Sequence, residues 1–375
     1  MIYLDNAATT RPCEAAVNAM VRAAEEFGNP SSLHGLGLNA EKMITGAKDT
    51  LAQMLAVDKK GIYFTSGGTE ANNLAVFGTV DALKRQGNRI ITSQIEHPSV
   101  LSAFKKLENS GFEVIYAPVD SDGRVDTEEL KKYLDDSVIF VSIMHVNNET
   151  GVIQPIEEIS SLLKEMSPKA VFHCDCVQSF GKIKVNPNLM GVDMISASAH
   201  KIHGYKGTGL LYTKSNRLSP ILYGGQQQNE IRPGTENTGG ISAFAAAAEK
   251  CSADINKMRE KRNLMKDILL NQIPQIKING CDEHNSGSVL NVSFIGIKAE
   301  ILLHSLERHK IYVSTGSACS THKPQPSHVL TAMGLGQKEI NGAVRISFCE
   351  YNSDEEIIFA ANKIVQEVAT IRKYM

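Results

Sequence analysis

Short apolar runs alternate with amphipathic stretches through roughly the first 250 residues. Runs rich in Val, Ile and Phe predict strands at 62–65, 89–93, 113–119, 138–146, 170–174, 194–197 and 209–212. Several are apolar almost throughout, the pattern of strands covered on both faces. Helical periodicity fills the gaps at 40–56, 127–134 and 156–166. A stretch rich in Ala, Glu, Lys and Met predicts one long helix over 241–272. Shorter strands at 288–294 and 344–348 then flank a helix near 298–307. The first pattern implies an α/β layer with a mainly parallel sheet; the second implies a smaller α+β unit. The boundary is expected inside the long helix, near residue 255.

Composition supports two cored units in a globular protein: 375 residues, 42% hydrophobic and 21% charged. A net charge of −2 gives no strong field for nucleic acid or an anionic membrane. No run approaches the roughly 18 apolar residues of a membrane span. Met1–Asn6 lacks the basic-then-apolar start of a secretory signal, so a cytoplasmic location is expected. The seven cysteines are odd in number and form no C-x-x-C pair, which argues against a disulfide framework.

Three segments carry candidate chemistry. In Thr65–Asn73 a strand ends, Gly67 and Gly68 turn the chain, and Thr69 stands where a helix should begin. Free N–H groups at a helix start bind phosphate, and glycine permits close approach. In Phe172–Gln178, Asp175 follows an apolar strand, at the sheet end where α/β folds place ligands. A carboxylate there needs a cationic partner, and a pyridinium nitrogen is one. In Ser196–Gly204, Lys201 follows another apolar strand among small residues. A desolvated lysine near other cations has a lowered pKa and forms Schiff bases. Ser198 and His200 add phosphate donors. Singly, the first segment reads more readily as a plain strand–helix turn, the second equally well as a helix-capping Asp, and the third more readily as surface decoration. Together they supply a phosphate cradle, a counter-charge for a ring nitrogen and an amine for an aldehyde. Those are the parts a pyridoxal 5'-phosphate site needs.

With Tyr3–Thr10, Asn29–His34, Glu96–Val100, Val146–Gly151, Gly234–Asn237 and Arg345–Ser347, the chain resembles the cysteine desulfurases of the NifS/IscS group. That group belongs to the class V aminotransferase superfamily. The resemblance implies a pyridoxal-phosphate-dependent transferase of fold type I. A large domain, 13–255, would hold a mainly parallel seven-stranded sheet, and 1–12 with 256–375 would form the small domain. Lys201 would bond the cofactor and shuttle protons. Asp175 would pair with the ring nitrogen, and Gln178 would bond the ring hydroxyl. His97 would stack on the ring and act as acid or base. Gly68, Thr69, Ser198 and His200 would hold the phosphate. Thr235 would reach the phosphate of a partner subunit, which implies a homodimer. Asn147 would touch both cofactor and substrate, and Arg345 would hold the substrate carboxylate by a bidentate fork. His34, His145, His173 and His203 read as structural, since no metal-ligand spacing links them.

Ser314–Thr321 is rich in small residues, and Lys323–His328 continues the irregular stretch. A nucleophile that collects sulfur and hands it on must travel, and such a loop permits that. The resemblance makes Cys319 this nucleophile, taking sulfur from L-cysteine as a persulfide and releasing L-alanine. Only the thiolate attacks; His97 or a nearby cation are candidate activators. The acceptor would be a protein, either an iron–sulfur scaffold or a tRNA-thiolating enzyme. Whether Cys319 also serves as a transient iron–sulfur ligand stays open. No resident metal, direct nucleic acid or membrane partner is expected.

Two rivals remain at this stage. One keeps the fold and changes the reaction: a selenocysteine lyase or a class V aminotransferase. The other is a non-catalytic sulfur-relay or scaffold subunit, against which Lys201, Asp175 and Arg345 argue. Four positions depart from the group's pattern: Tyr205, Gln226, Pro233 and Cys349. Gln226 and Pro233 fall in the loop expected to face the partner subunit.

Overall fold

The computed structural model describes residues 1–251, 254–315 and 326–374. In chain order the strands are β1 (Ile2–Tyr3), β2 (Ile62–Thr65), β3 (Arg89–Ser93), β4 (Glu113–Ala117), β5 (Val138–Ser142), β6 (Val171–Asp175) and β7 (Met194–Ser198). They continue as β8 (Gly209–Thr213), β9 (Ile276–Asn279), β10 (Val289–Phe294), β11 (Ile311–Tyr312), β12 (Ser314–Thr315) and β13 (Ala343–Ser347).

Seven of them form one sheet in the order β2-β8-β7-β6-β5-β3-β4. The pairs from β7 through β4 are parallel. Only β8 runs against its neighbours, β2 and β7. Every residue of β5, β6, β7 and β8 is buried, as their apolar runs imply. One face packs under Leu74, Val80, Val100 and Phe104 of the helices Gly68–Leu83 and Pro98–Glu108. The other packs under Ile44, Leu51, Ile159 and Phe244.

A four-stranded sheet, β12-β13-β10-β9, has its own core of Leu290, Val292, Leu302, Val344 and Ile364. Leu4 packs there too, because β1 pairs in parallel with β11 and carries the N-terminus across.

The single helix expected over 241–272 is two: Thr238–Ala248 and Ile255–Gln272. The first buries Ala243, Phe244 and Ala247 on the large sheet's core; the second turns Met258, Met265 and Leu269 to the small sheet's core. Both halves are good helix formers, so propensity does not mark the break. The cap does: Asp254 Oδ1 accepts from Asn256 N at 3.1 Å and Lys257 N at 3.4 Å. The strand expected over 138–146 ends at Ser142, where the chain leaves the sheet to form the turn around Asn147. Among the described residues no helix is long and apolar enough to cross a membrane.

Candidate active site

Sheet register gathers the three candidate segments. Thr65 pairs with Gly209 and Gly209 with Ser198, so the end of β2 lies in one row with the end of β7. Asp175 pairs with Ser196 one strand further. The Gly67–Gly68 turn fits tightly here. A Cβ on Gly68 would sit 2.6 Å from Val177 Cγ2, and one on Gly209 would sit 2.6 Å from the Gly67 carbonyl carbon. Only glycine at these positions lets the start of the Gly68–Leu83 helix lie this close to β7. Ser198 lies beside this start: a Cβ on Gly67 would be 3.9 Å from Ser198 Oγ. Thr69 is exposed in the first turn. The unbonded N–H groups of that turn, with Ser198, suit a phosphate.

Asp175 is 5% exposed. Its Oδ2 accepts from Asn72 Nδ2 at 2.7 Å and its Oδ1 from Val177 N at 2.9 Å. Neither donor is charged, so burial of this anion is only partly offset. A cationic ring nitrogen would complete the offset, and on this ground the residues fit the cofactor.

Lys201 ends a short turn after β7. Its Nζ donates to the carbonyls of Ala7 at 2.6 Å and Ala8 at 2.8 Å, which brings the Asp5–Thr10 turn against the amine. His200 faces the same turn through Nδ1 and Thr9 Oγ1, 3.1 Å apart. Burial, with Lys201, Lys206 and Lys182 nearby, pushes the His200 imidazole down to about 4, so it is neutral at ordinary pH. Gln178 Nε2 donates to Ala7 O at 2.9 Å, and Gln178 Oε1 accepts from Lys182 at 3.0 Å. Lys182 is lowered to about 8 by burial.

His97 caps the Pro98–Glu108 helix: its Nδ1 accepts from Ser99 N at 3.1 Å. Burial lowers its pKa, as do the charges of Lys201 and His328, while Asp175 raises it. His97 and Thr69 also line one open depression of about 430 Å³.

Arg345, in β13, is 6% exposed. Its Nη2 donates to Asp5 Oδ1 at 2.9 Å and its Nη1 to Asn148 O at 3.2 Å. Its Nε is buried without a hydrogen-bond partner among the described residues. Asn147 is fully buried and serves its own turn: Oδ1 accepts from Glu149 N at 2.9 Å and Thr150 N at 3.0 Å. Its Nδ2 donates to Ile95 O at 3.0 Å and lies 3.4 Å from Met144 Sδ. Of these contacts the one to sulfur is the weakest.

Thr235 is exposed in the turn before the Thr238–Ala248 helix. The preceding loop is clamped to β2 by Gln228, whose amide accepts from Phe64 N at 2.6 Å and donates to Phe64 O at 2.9 Å. Gln228, Asn229 and Glu230 all have positive φ, a strained run for side-chain-bearing residues. Cys319 lies outside the described residues. Just after it, Ser327 donates to Glu149 Oε2 at 2.6 Å, and His328 Nε2 lies 2.9 Å from Glu96 O.

Of the four histidines read as structural, His173 is satisfied in the core. Its ring nitrogens lie 2.8 Å from Ser142 Oγ and 2.8 Å from Ser196 Oγ, and burial lowers it to about 3. His34 caps the Gly35–Leu55 helix, and His203 Nδ1 lies 2.9 Å from Arg11 O. Sequence reasoning assigned nothing to Asp5, Asn72, Glu96 or Ser99. Each lies inside a segment singled out for other residues, and that was the available signal.

The aminotransferase class-V family pattern matches residues 2–358, and the chain belongs to that family. It is 38% identical over 382 residues to a cysteine desulfurase IscS of Dictyoglomus turgidum, covering 100% of this chain and 96% of that one. It is 40% identical over 361 residues to a cysteine desulfurase IscS of Methanosarcina thermophila, covering 95% and 89%. A solved NifS-like protein superposes with a TM-score of 0.92 at 36% identity, over 98% of this chain and 99% of the other.

Proposed function

We propose that the chain is a cysteine desulfurase: L-cysteine and the Cys319 thiol become L-alanine and a Cys319 persulfide. The reading is supported by full-length similarity to proteins of that name and, above all, by Asp175. This buried carboxylate with two neutral donors lies beside His97 at the sheet end that Lys201 also flanks.

Pyridoxal 5'-phosphate supplies, when bound, an electron sink for the substrate's α-carbon. Lys201 would hold its aldehyde carbon, Asp175 its ring nitrogen and Gln178 its ring hydroxyl. The Gly68–Thr69 helix start, Ser198 and His200 would hold its phosphate, with Thr235 of a second copy completing the cradle in a homodimer. Arg345 would take the substrate carboxylate on its Nε edge, assisted by Asn147. Lys201 then moves the α-proton. The Cys319 thiolate attacks the substrate sulfur: the S–S bond forms as the C–S bond breaks, the electron pair stays with carbon, and protons complete alanine. The persulfide passes to an acceptor protein of iron–sulfur assembly or tRNA thiolation. We also divide the chain near residue 255, with 1–12 joined to the second unit; Leu4 in the second core and the Asp254 cap support that division.

The test is Cys319→Ala in the purified protein. It should stay yellow and lose sulfide release from cysteine. Sulfide release at the wild-type rate, or a wild-type protein that stays colourless with added cofactor, would sink the proposal.

A further inference from the structure

A chain of hydrogen bonds, buried at Asp175 and partly buried at His97, runs between the two. Asp175 Oδ2 accepts from Asn72 Nδ2 at 2.7 Å, and the same nitrogen donates to Ser99 Oγ at 2.9 Å. Ser99 Oγ lies 2.8 Å from His97 Nδ1, and Ser99 N donates to that nitrogen at 3.1 Å. Asn72 is 1% exposed and Ser99 8%.

The direction of each bond follows from donor chemistry. A carboxylate only accepts, so the Asn72 amide must turn its NH₂ toward Asp175, and one of its two hydrogens then serves Ser99. The Ser99 hydroxyl, accepting from Asn72, has its single hydrogen left for His97 Nδ1. The Ser99 backbone N–H can only donate. Nδ1 therefore accepts twice, and a neutral imidazole in that position carries its proton on Nε2.

We propose that Asn72 and Ser99 are positioning residues that lock His97 in the neutral Nε2–H tautomer, so that its outer nitrogen presents a hydrogen-bond donor and not a base. The proposal rests on the desulfurase reading and specifies the part His97 plays in it. Protonation would force a hydrogen onto Nδ1 against the fixed Ser99 N–H, and the Ser99 hydroxyl would have to turn its own hydrogen away. The charged or titratable groups facing His97 are Asp175 at the end of β6, Lys201 in the turn after β7 and His328 in the helix His328–Ala332. Burial is the largest influence on its pKa; it favours the neutral ring, as do both cations, and Asp175 opposes. In this tautomer His97 polarises a substrate oxygen or sulfur by donation, as neutral histidines do elsewhere. It does not take the Cys319 proton in the resting state, which leaves thiol activation to another group.

The tautomer can be read directly. Ring ¹⁵N correlation spectra of the full-length protein, with and without pyridoxal phosphate, should show His97 with a protonated Nε2 and a bare Nδ1. The signal is assigned by its loss in His97→Gln. Ser99→Ala removes one donor to Nδ1, so the ring pKa should rise by about half a unit to one unit, roughly a threefold to tenfold change in proton affinity. Asn72→Ala should raise it less, because the Ser99 hydroxyl remains. Ser99→Thr should restore the wild-type titration. In the loaded enzyme Ser99→Ala should lower kcat about tenfold with KM unchanged. An Nδ1–H tautomer in the wild type, or an unshifted titration in Ser99→Ala, overturns the proposal. A correct tautomer in a protein that forms no alanine from cysteine would instead overturn the desulfurase reading and leave the lock standing.

Discussion

Asp175 at the end of the large sheet and Arg345 in the small sheet are both buried charges, held in opposite ways. Asp175 has two neutral donors, one on each oxygen, and both come from neighbouring turns and helices of the same layer. Arg345 already has a counter-charge: Asp5, 340 positions away, holds its Nη2, and Asn148 O holds its Nη1. The first has no cation bonded to it among the described residues. The second is a cation neutralised on one side, with an Nε that has no partner among the described residues. On the proposed reading the two take different ligands: Asp175 a point of positive charge, and Arg345 a planar carboxylate side-on.

The sharpest way to break the comparison is Asp175→Asn. The amide keeps an acceptor for Val177 N or Asn72, so the fold should survive, as circular dichroism would show. What is lost is the charge. Alanine formation should fall about 10²–10³-fold, the range for removing one preorganised electrostatic partner at a reacting group. A loss under about threefold would mean that Asp175 is a structural carboxylate after all.

Glu96 sharpens the same point from nearby. It is fully buried, and both its donors, Ser93 Oγ at 2.6 Å and Met144 N at 2.9 Å, crowd onto Oε1. Its Oε2 has no partner among the described residues. Burial, with Asp175 adding to it, pushes this carboxyl up from 4.5 to about 8. A carboxyl raised in the folded state contributes stability that is fully present below pH 4.5 and lost as pH rises through about 8. Glu96→Gln removes that dependence. Its stability relative to wild type should improve between about pH 5 and pH 8, with a slope of at most about 1.4 kcal/mol per pH unit. Denaturant midpoints across that window decide it, and parallel curves for the two proteins would refute it.

How legible each region was follows from chain distance. Asp175, Lys201 and Gly68 stand at strand ends and a glycine turn, features that short segments announce by themselves. The partners of these residues are less visible. Asn72 reads as one more helix residue, and its bond to Asp175 spans 103 positions. Asp5 reads as one residue of an N-terminal turn until β1 pairs with β11 and brings it to Arg345. The helix break near residue 250 was hidden because both halves favour helix; the Asp254 cap and burial against different cores separate them. Asn147 shows a further limit. Its expected ligand contacts and its observed turn contacts involve the same amide, and Asn in a turn most often bonds its own backbone nearby.

The smallest expected effect tests the Arg345 half. Arg345→Lys keeps a charge beside Asp5, and one ammonium reaches Asp5 or Asn148 O but not both with the same geometry. The Nε edge disappears. If that edge takes the substrate carboxylate, KM for cysteine should rise about tenfold, the loss of roughly 1.4 kcal/mol of binding. Because the change acts on substrate position and not on the ring side of the site, kcat should fall little, and the yellow colour should be unchanged. Asp5→Asn separates the two duties of Arg345. It removes the counter-charge and leaves the fork intact, so the guanidinium is held less firmly but keeps Nε. Its effect on KM should be smaller than that of Arg345→Lys. If Asp5→Asn raised KM more than Arg345→Lys, Arg345 would matter for binding the N-terminal turn, and the carboxylate would have to be held elsewhere.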